Sequence, residues 1–136
     1  MAGSDIVALD ATGRPRLDGL SFAQTVAALR EDGTLVMADC GSFEDAQRAV
    51  DAGVDIVSTT LAGYTGDRVK TDGPDLELLR EVVAAFPDVP VICEGRVHTP
   101  EQAAAAVEAG AFAVIVGTAI THPTSITTWF KAAVEG

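Results

Sequence analysis

The sequence predicts an α/β fold of parallel (βα) repeats, and three observations carry the prediction. Five short apolar runs recur along the chain: DIVAL (5–9), TLVMA (34–38), DIVS (55–58), PVICE (90–94) and FAVIV (112–116). None alternates polar with apolar residues, the pattern of strands buried on both faces in a helix-covered parallel sheet. Between them lie stretches with helical apolar spacing, bounded by helix start and stop residues. The resulting order, β-α repeated, argues a right-handed parallel sheet with crossover helices.

The first run leads through LDATGRPR (9–16) to a helix that Ser21 and Gln24 open with capping-box spacing. Gly33 stands where a left-handed C-cap is wanted. The second run ends at Asp39 and Cys40; Ser42 with Asp45 is a variant of the same box, and Gly53 closes that helix. The third run passes into a long connection, Thr59 to about Pro74, and loops of that length often cover active sites. Pro74, Pro100 and Pro123 suit first-turn positions. Leu76, Leu79, Val82, Val83 and Phe86 form one apolar helical stripe, expected to pack in the core. The fourth run ends on Glu94, with Gly95 and Arg96 behind it; Thr99 and Gln102 then open a helix that Gly110 closes. The fifth run ends at Gly117 and Thr118. A last helix carries Ile126, Trp129, Phe130 and Val134, for which core packing is again the expectation.

The 136 residues suffice for one domain with a hydrophobic core. A net charge of −11 disfavours nucleic acid and anionic lipid as partners. No segment approaches a membrane span and no signal-peptide pattern follows Met1, so a cytoplasmic protein is expected. Cys40 and Cys93 have no metal-ligand spacing and read as reduced, buried thiols. No metal site is expected.

Two segments of the chain echo each other. EDAQRAVDAGVDIVSTTLAG (44–63) matches EQAAAAVEAGAFAVIVGTAI (101–120) in helix, Ala-Gly stop and strand. AGSDIVALDAT (2–12) begins at the same Ala-Gly, without the helix that should precede it. Five such units form either an open sheet or the last five of an eight-unit barrel, the second leaving two bare strand edges.

The residues at the run ends carry the chemistry. An acid directly after PVIC would be costly if merely buried, so Glu94 reads as a site carboxylate. Gly95 lets backbone amides approach an anion, and Arg96 either forks onto that anion or serves as a structural ion-pair partner. Gly117 and Thr118, at the start of the last helix, would complete a phosphate position shared by two neighbouring loops. His98 reads as a helix-entry polar residue.

LDATGRPR (9–16), LVMADC (35–40) with DIVSTTLAGYT (55–65), and EGRVHTPEQA (94–103) with VGTAITHP (116–123) together resemble the N-acetylmannosamine-6-phosphate 2-epimerase family. These are cytosolic TIM-barrel enzymes of sialic acid and amino-sugar catabolism. The resemblance implies a single incomplete TIM-barrel domain over residues 1–136, strands four to eight with the phosphate-binding half, and the first three units missing. It implies interconversion of N-acetylmannosamine 6-phosphate and N-acetylglucosamine 6-phosphate by removal and return of the C2 proton in the ring-opened sugar, with no cofactor. Glu94 would transfer a proton or orient the base. Asp39 would contact the sugar or support the base, the alternative being a helix cap near Ser42. Thr60 and Tyr64 are candidate substrate contacts, and Asp10 is balanced between a binding and a structural role. His122 stands where the family carries an arginine aimed at the phosphate, which implies weaker phosphate affinity or a larger share for backbone amides and Arg96. The family's catalytic lysine has no counterpart, since Lys70 and Lys131 are the chain's two lysines and neither follows a strand. The implied partners are a phosphorylated amino sugar and either a second copy of the chain or a complementing N-terminal half-barrel. A non-catalytic phosphosugar-binding remnant is the contrasting reading. A related barrel enzyme of ribose-phosphate or thiamine biosynthesis is a third, against which LDATGRPR and TTLAGYT speak.

Overall fold

In the computed structural model, which describes residues 3–135, five strands form one sheet: β1 (Ile6–Asp10), β2 (Leu35–Asp39), β3 (Ile56–Ser58), β4 (Val91–Glu94) and β5 (Ala113–Ile115). They lie in the order β1-β2-β3-β4-β5 and every neighbouring pair is parallel. Helices α1 (Phe22–Glu31), α2 (Phe43–Asp51), α3 (Leu76–Ala85) and α4 (Pro100–Glu108) alternate with the strands. A doubly wound sheet would reverse its strand order at a switch point. Here each strand is added beside the last without reversal, as in a sector of a (βα) barrel.

The helices start where their side chains supply missing acceptors. Ser21 and Thr99 complete reciprocal capping boxes with Gln24 and Gln102. Ser42 accepts from the Asp45 amide, but the Asp45 carboxylate reaches back to the Gly41 amide, one residue before the N-cap. Asp75 is the N-cap of α3, so Pro74 precedes that helix instead of occupying its first turn. The core lies between the sheet and α1–α4, around the fully buried Val26, Val36, Val57, Leu78, Leu79 and Val82. Cys40 and Cys93 are buried free thiols, and burial pushes the Cys40 thiol far up from its ordinary value.

Two expectations change at the C-terminal end. A short helix, α5 (Thr118–Thr121), intervenes between β5 and α6 (Pro123–Glu135). The Ile126–Val134 stripe is not core: α6 packs against α5 and buries no residue, with Trp129 39%, Phe130 71% and Val134 83% exposed. An amphipathic helix needs an apolar layer to receive it, and no strand lies beyond β5 among the described residues to provide one. The opposite edge is similar, with Ile6 and Leu35 half exposed. Ala2, where the repeat echo begins, lies outside the described residues. Among the described residues no helix is long and apolar enough to cross a membrane.

Candidate active site at the strand tips

The register decides which side chains meet. Asp10 pairs with Asp39 and Asp39 with Ser58, while Ser58 pairs with Ile92 on β4. Two residues further along the same pair of strands, Thr60 stands level with Glu94. The C-terminal strand ends therefore form a polar row of Asp10, Asp39, Thr60 and Glu94, on the face where barrel sites are built.

Thr60 holds the row together. Its hydroxyl lies 2.8 Å from Asp39 Oδ1, 3.1 Å from Glu94 Oε2 and 2.7 Å from Ser58 Oγ. Thr59 locks the backbone beneath it: its hydroxyl donates to the Glu94 carbonyl and accepts from the Glu94 amide. Glu94 is half-buried, and desolvation raises its pKa; the Thr60 hydrogen bond opposes this, the Asp39 charge adds to it, and the nearby Ser58 hydroxyl opposes it. Asp39 is likewise raised by desolvation, with Thr60 opposing and Asp10 adding. The helix-capping alternative for Asp39 does not hold, since Ser42 and Asp45 satisfy the start of α2 and the Asp39 carboxylate turns to Thr60.

After Glu94 the backbone swings sharply. Gly95 (φ 99°) and Arg96 (φ 58°) are both left-handed, and a Cβ on Gly95 would come 3.3 Å from the Thr60 carbonyl. A left-handed L-residue costs about 1–2 kcal/mol, which the surroundings must offset. They do so through the Arg96 guanidinium: Nε donates to the Gly73 carbonyl at 3.1 Å, Nη1 to the Ala62 carbonyl at 2.7 Å and Nη2 to Thr71 Oγ1 at 3.0 Å. Its plane also lies 5.1 Å from the Tyr64 ring centre. These donors pin the 59–74 connection, and the ion-pair alternative for Arg96 is replaced by bonds to neutral oxygens, while the residue still borders the cavity described below. The connection is further clamped where Arg68 pairs with Asp75 at 2.7 Å and Glu77 at 3.0 Å. Gly63 (φ 76°) allows its backbone to approach Lys70, whose Cα would be 2.7 Å from an added Cβ.

Glu94, Gly95, Thr60 and Tyr64 line one side of a cavity of about 220 Å³, and Gly117 and Thr118 line the other. Arg96 and His98 also border it. A Cβ on Gly117 would meet nothing within 4 Å, so this glycine faces open space. Thr118 is the first residue of α5, and no side chain caps that turn.

Three candidates are not in the cavity lining: Asp39 meets it through Thr60, and Asp10 and His122 lie apart from it. The carboxylate of Asp10 is held by Thr12 and by Arg14 at 2.5 Å; burial works to raise its pKa, but these partners together lower it. It reaches the others as a charge acting on Asp39. His122 ends α5, and its Nδ1 stands 2.8 Å from the Ser125 hydroxyl and 3.3 Å from the Ser125 amide at the start of α6. A ring turned onto its own helix start does not reach into the cavity, which corrects its expected phosphate role. His98 sits before the Thr99 cap with its ring 4.9 Å from that of Trp129.

Sequence reasoning passed over Ser58 and Lys70. Ser58 is fully buried and heads a run of three hydroxyl residues at the end of an apolar strand, a signal that could have been read. Lys70 reaches the site through loop geometry alone, its Nζ 4.9 Å from the Tyr64 ring centre. A larger hollow of about 560 Å³ lies between the β1–α1 loop and α2; its Arg14 and Arg48 are paired with Asp10 and Asp45, and its Arg16 stands 3.7 Å from Asp18 with Nε making no hydrogen bond. No carboxylate with a raised pKa lines that hollow among the described residues, whereas Glu94 lines the smaller cavity. Among the described residues no group of three or more His, Cys, Asp or Glu is placed to hold a metal ion.

With this geometry in place, comparison with known proteins is informative. Residues 1–136 match the NanE family, described as "Putative N-acetylmannosamine-6-phosphate epimerase". The chain is 58% identical over 136 residues to a protein of that description from Cutibacterium acnes, covering 98% of this chain and 59% of that protein. It is 50% identical to one from Corynebacterium glutamicum, covering 96% and 56%. The solved structure of the N-acetylmannosamine-6-phosphate 2-epimerase from Clostridium perfringens superposes with a TM-score of 0.92 at 42% identity, covering 96% of this chain and 57% of that one. The chain therefore spans under three-fifths of the length of these relatives. A thiamine phosphate pyrophosphorylase from Pyrococcus furiosus, at 19% identity and TM-score 0.63, shares the fold.

Proposed function

Since the chain belongs to the NanE epimerase family, we propose that it contributes the phosphate-gripping and acid–base part of an enzyme interconverting N-acetylmannosamine 6-phosphate and N-acetylglucosamine 6-phosphate. The observation that carries this reading is the shared cavity: Glu94 at the tip of β4 faces the same space as the backbone of Gly95, Gly117 and Thr118. A phosphate seated on those amides would leave the sugar chain to run toward Glu94 and Thr60. Gly117, with open space at its Cβ, admits an anion close to the backbone.

The reaction asks little else of the site. In the ring-opened sugar the C2 hydrogen lies beside the C1 aldehyde, so its removal gives an enolate with its charge on the C1 oxygen. Return of a proton to the opposite face inverts C2. Glu94, with its raised pKa, suits one of the two proton carriers. Asp39, through Thr60, holds it in place. Arg96 keeps Tyr64 and the 59–74 connection over the cavity. Such a substrate is a cytoplasmic metabolite, and we place the protein in that compartment.

The other proton carrier comes from outside these residues. Neither Lys70 nor Lys131 stands at a strand tip, and both sheet edges await neighbours. We infer that further βα units, in the same polypeptide or in a partner, close the barrel. The test is deuterium exchange at C2 of N-acetylmannosamine 6-phosphate in D2O, followed by NMR. The chain joined to the flanking units of a full-length relative is expected to exchange and epimerise, and the 136-residue chain alone to do neither. Absence of exchange in the closed barrel overturns the reading.

A further inference from the structure

The Thr60 hydroxyl makes three oxygen–oxygen contacts at hydrogen-bond distance: Ser58 Oγ at 2.7 Å, Asp39 Oδ1 at 2.8 Å and Glu94 Oε2 at 3.1 Å. Each contact needs a hydrogen, and two hydroxyls supply two. Ser58 Oγ is buried with Thr60 as its hydrogen-bond partner, and the shortest contact to a carboxylate is that of Asp39. Ser58 therefore donates to Thr60, and Thr60 to Asp39. The Thr60 hydrogen serves one carboxylate at a time: while Asp39 takes it, the Glu94 contact is completed by a hydrogen on Glu94, and when Glu94 is ionised the same hydrogen can turn to it. We propose that Asp39 and Glu94 share a single proton across the Thr60 hydroxyl, carried on Glu94 Oε2, and that Ser58 and Thr60 are the positioning residues that decide which carboxyl holds it.

Other charges face the pair without cancelling this arrangement. Asp10 stands behind Asp39 on β1, and its charge adds to the burden on that carboxylate. Along the cavity wall Arg96 is engaged by Gly73, Ala62 and Thr71, and His98, Tyr64 and the Lys70 above it complete the surroundings. Burial raises both carboxyls; the Asp39 charge adds to the rise at Glu94, and the Asp10 charge adds to that at Asp39. Two carboxylates against one hydroxyl are a familiar reason for two-step titration, in which the steps belong to the pair.

The consequence for chemistry rests on the epimerase reading. Glu94 then faces the substrate as an acid: its proton passes to C2, the electron pair of the enolate forms the new C–H bond, and Glu94 is left as a carboxylate. The Thr60 hydrogen can then serve either oxygen. Two adjacent anions now compete for one donor, which favours the return of a proton to Glu94.

Carboxyl ¹³C NMR titration of the chain itself tests the proposal. In the unaltered chain the Asp39 and Glu94 signals are expected to show two shared inflections, Asp39 dominating the lower and Glu94 the upper. Thr60→Val should narrow the ratio of the two acid constants about tenfold, because Asp39 loses its donor and rises toward Glu94; one pH unit corresponds to that tenfold. Thr60→Ser, which keeps the hydroxyl, should restore the spacing. The proposal is overturned if both carboxyls of the unaltered chain titrate independently in single steps, complete by about pH 5, or if Thr60→Val leaves the spacing unchanged. The unaltered chain decides the first point even if the valine variant does not fold. These curves need no turnover, so a closed barrel that failed to exchange deuterium would sink the epimerase reading and leave them standing.

Discussion

Glu94 sits at the end of a buried strand with a carboxylate neighbour and a single hydroxyl between them. Its folded pKa lies above that of free glutamate, chiefly because it is desolvated. The folded chain thus holds a proton that the unfolded chain has released, and stability falls as pH rises from about 4.3 through the folded value. Glu94→Gln removes that cost while keeping an N–H for Thr60. Its urea midpoint at pH 7 is expected to exceed that of the parent chain, with the advantage vanishing below about pH 4. In the closed barrel the same change should slow deuterium exchange by about 10²–10⁴-fold, the usual worth of an acid–base group. A lower midpoint at pH 7 would contradict the desolvation argument, and a near-normal exchange rate would remove Glu94 from the chemistry. The cavity-lining acid and glycines were legible because an acid or glycine pair closing an apolar strand has few structural reasons to be there. The partners of Arg96 and His122 were not, because a sequence shows that a basic residue is near a site and not which groups its nitrogens meet.

Among the elements, the 59–74 connection is the one whose behaviour the site most depends on. It is long, but it is tied at both ends, by Arg96 to Ala62, Thr71 and Gly73 and by Arg68 to Asp75. Asp75 also caps α3 through the Leu78 amide; burial works to raise its pKa, but the Arg68 and Leu78 hydrogen bonds bring it below the ordinary value. Arg96→Ala breaks the first tie and leaves the second. Net hydrogen-bond contributions of about 1 kcal/mol each predict a loss of about 1–3 kcal/mol. Amide hydrogen exchange at Ala62 and Tyr64, whose N–H groups donate to the Thr59 and Leu61 carbonyls, should speed up at least about tenfold, with α3 unaffected; unchanged exchange there would mean that Arg68 and Asp75 hold the loop alone. Element boundaries followed from caps that the sequence displays, such as Ser21 with Gln24 and Thr99 with Gln102. The fate of α6 did not follow. Periodicity marks an apolar face, but whether anything covers it depends on a neighbour that no local pattern encodes.

For the whole molecule, an unreversed row of five parallel strands with apolar surface at both ends is an arc of a ring. Ile6 and Leu35 at one edge and Phe112 and Phe130 toward the other are exposed to solvent in this arc. Such edges pair with whatever presents complementary strands. The isolated chain is therefore expected to self-associate with concentration, read as a rising mass in sedimentation equilibrium; a monodisperse monomer at tens of micromolar would contradict this. The strand order was readable because five apolar runs of similar length alternate with capped helices, and each βα step leaves one handed way to continue. Which cavity the chemistry uses is a question of the assembled arc, since its two walls come from β4 and β5 loops. Backbone amide NMR of the chain, titrated with N-acetylmannosamine 6-phosphate and separately with unphosphorylated N-acetylmannosamine, answers it most directly. The Gly95, Gly117 and Thr118 signals should move with the phosphorylated sugar and far less with the other. Shifts confined to the Arg14 and Arg48 hollow, or equal responses to both sugars, would contradict the joint grip of the two strand tips.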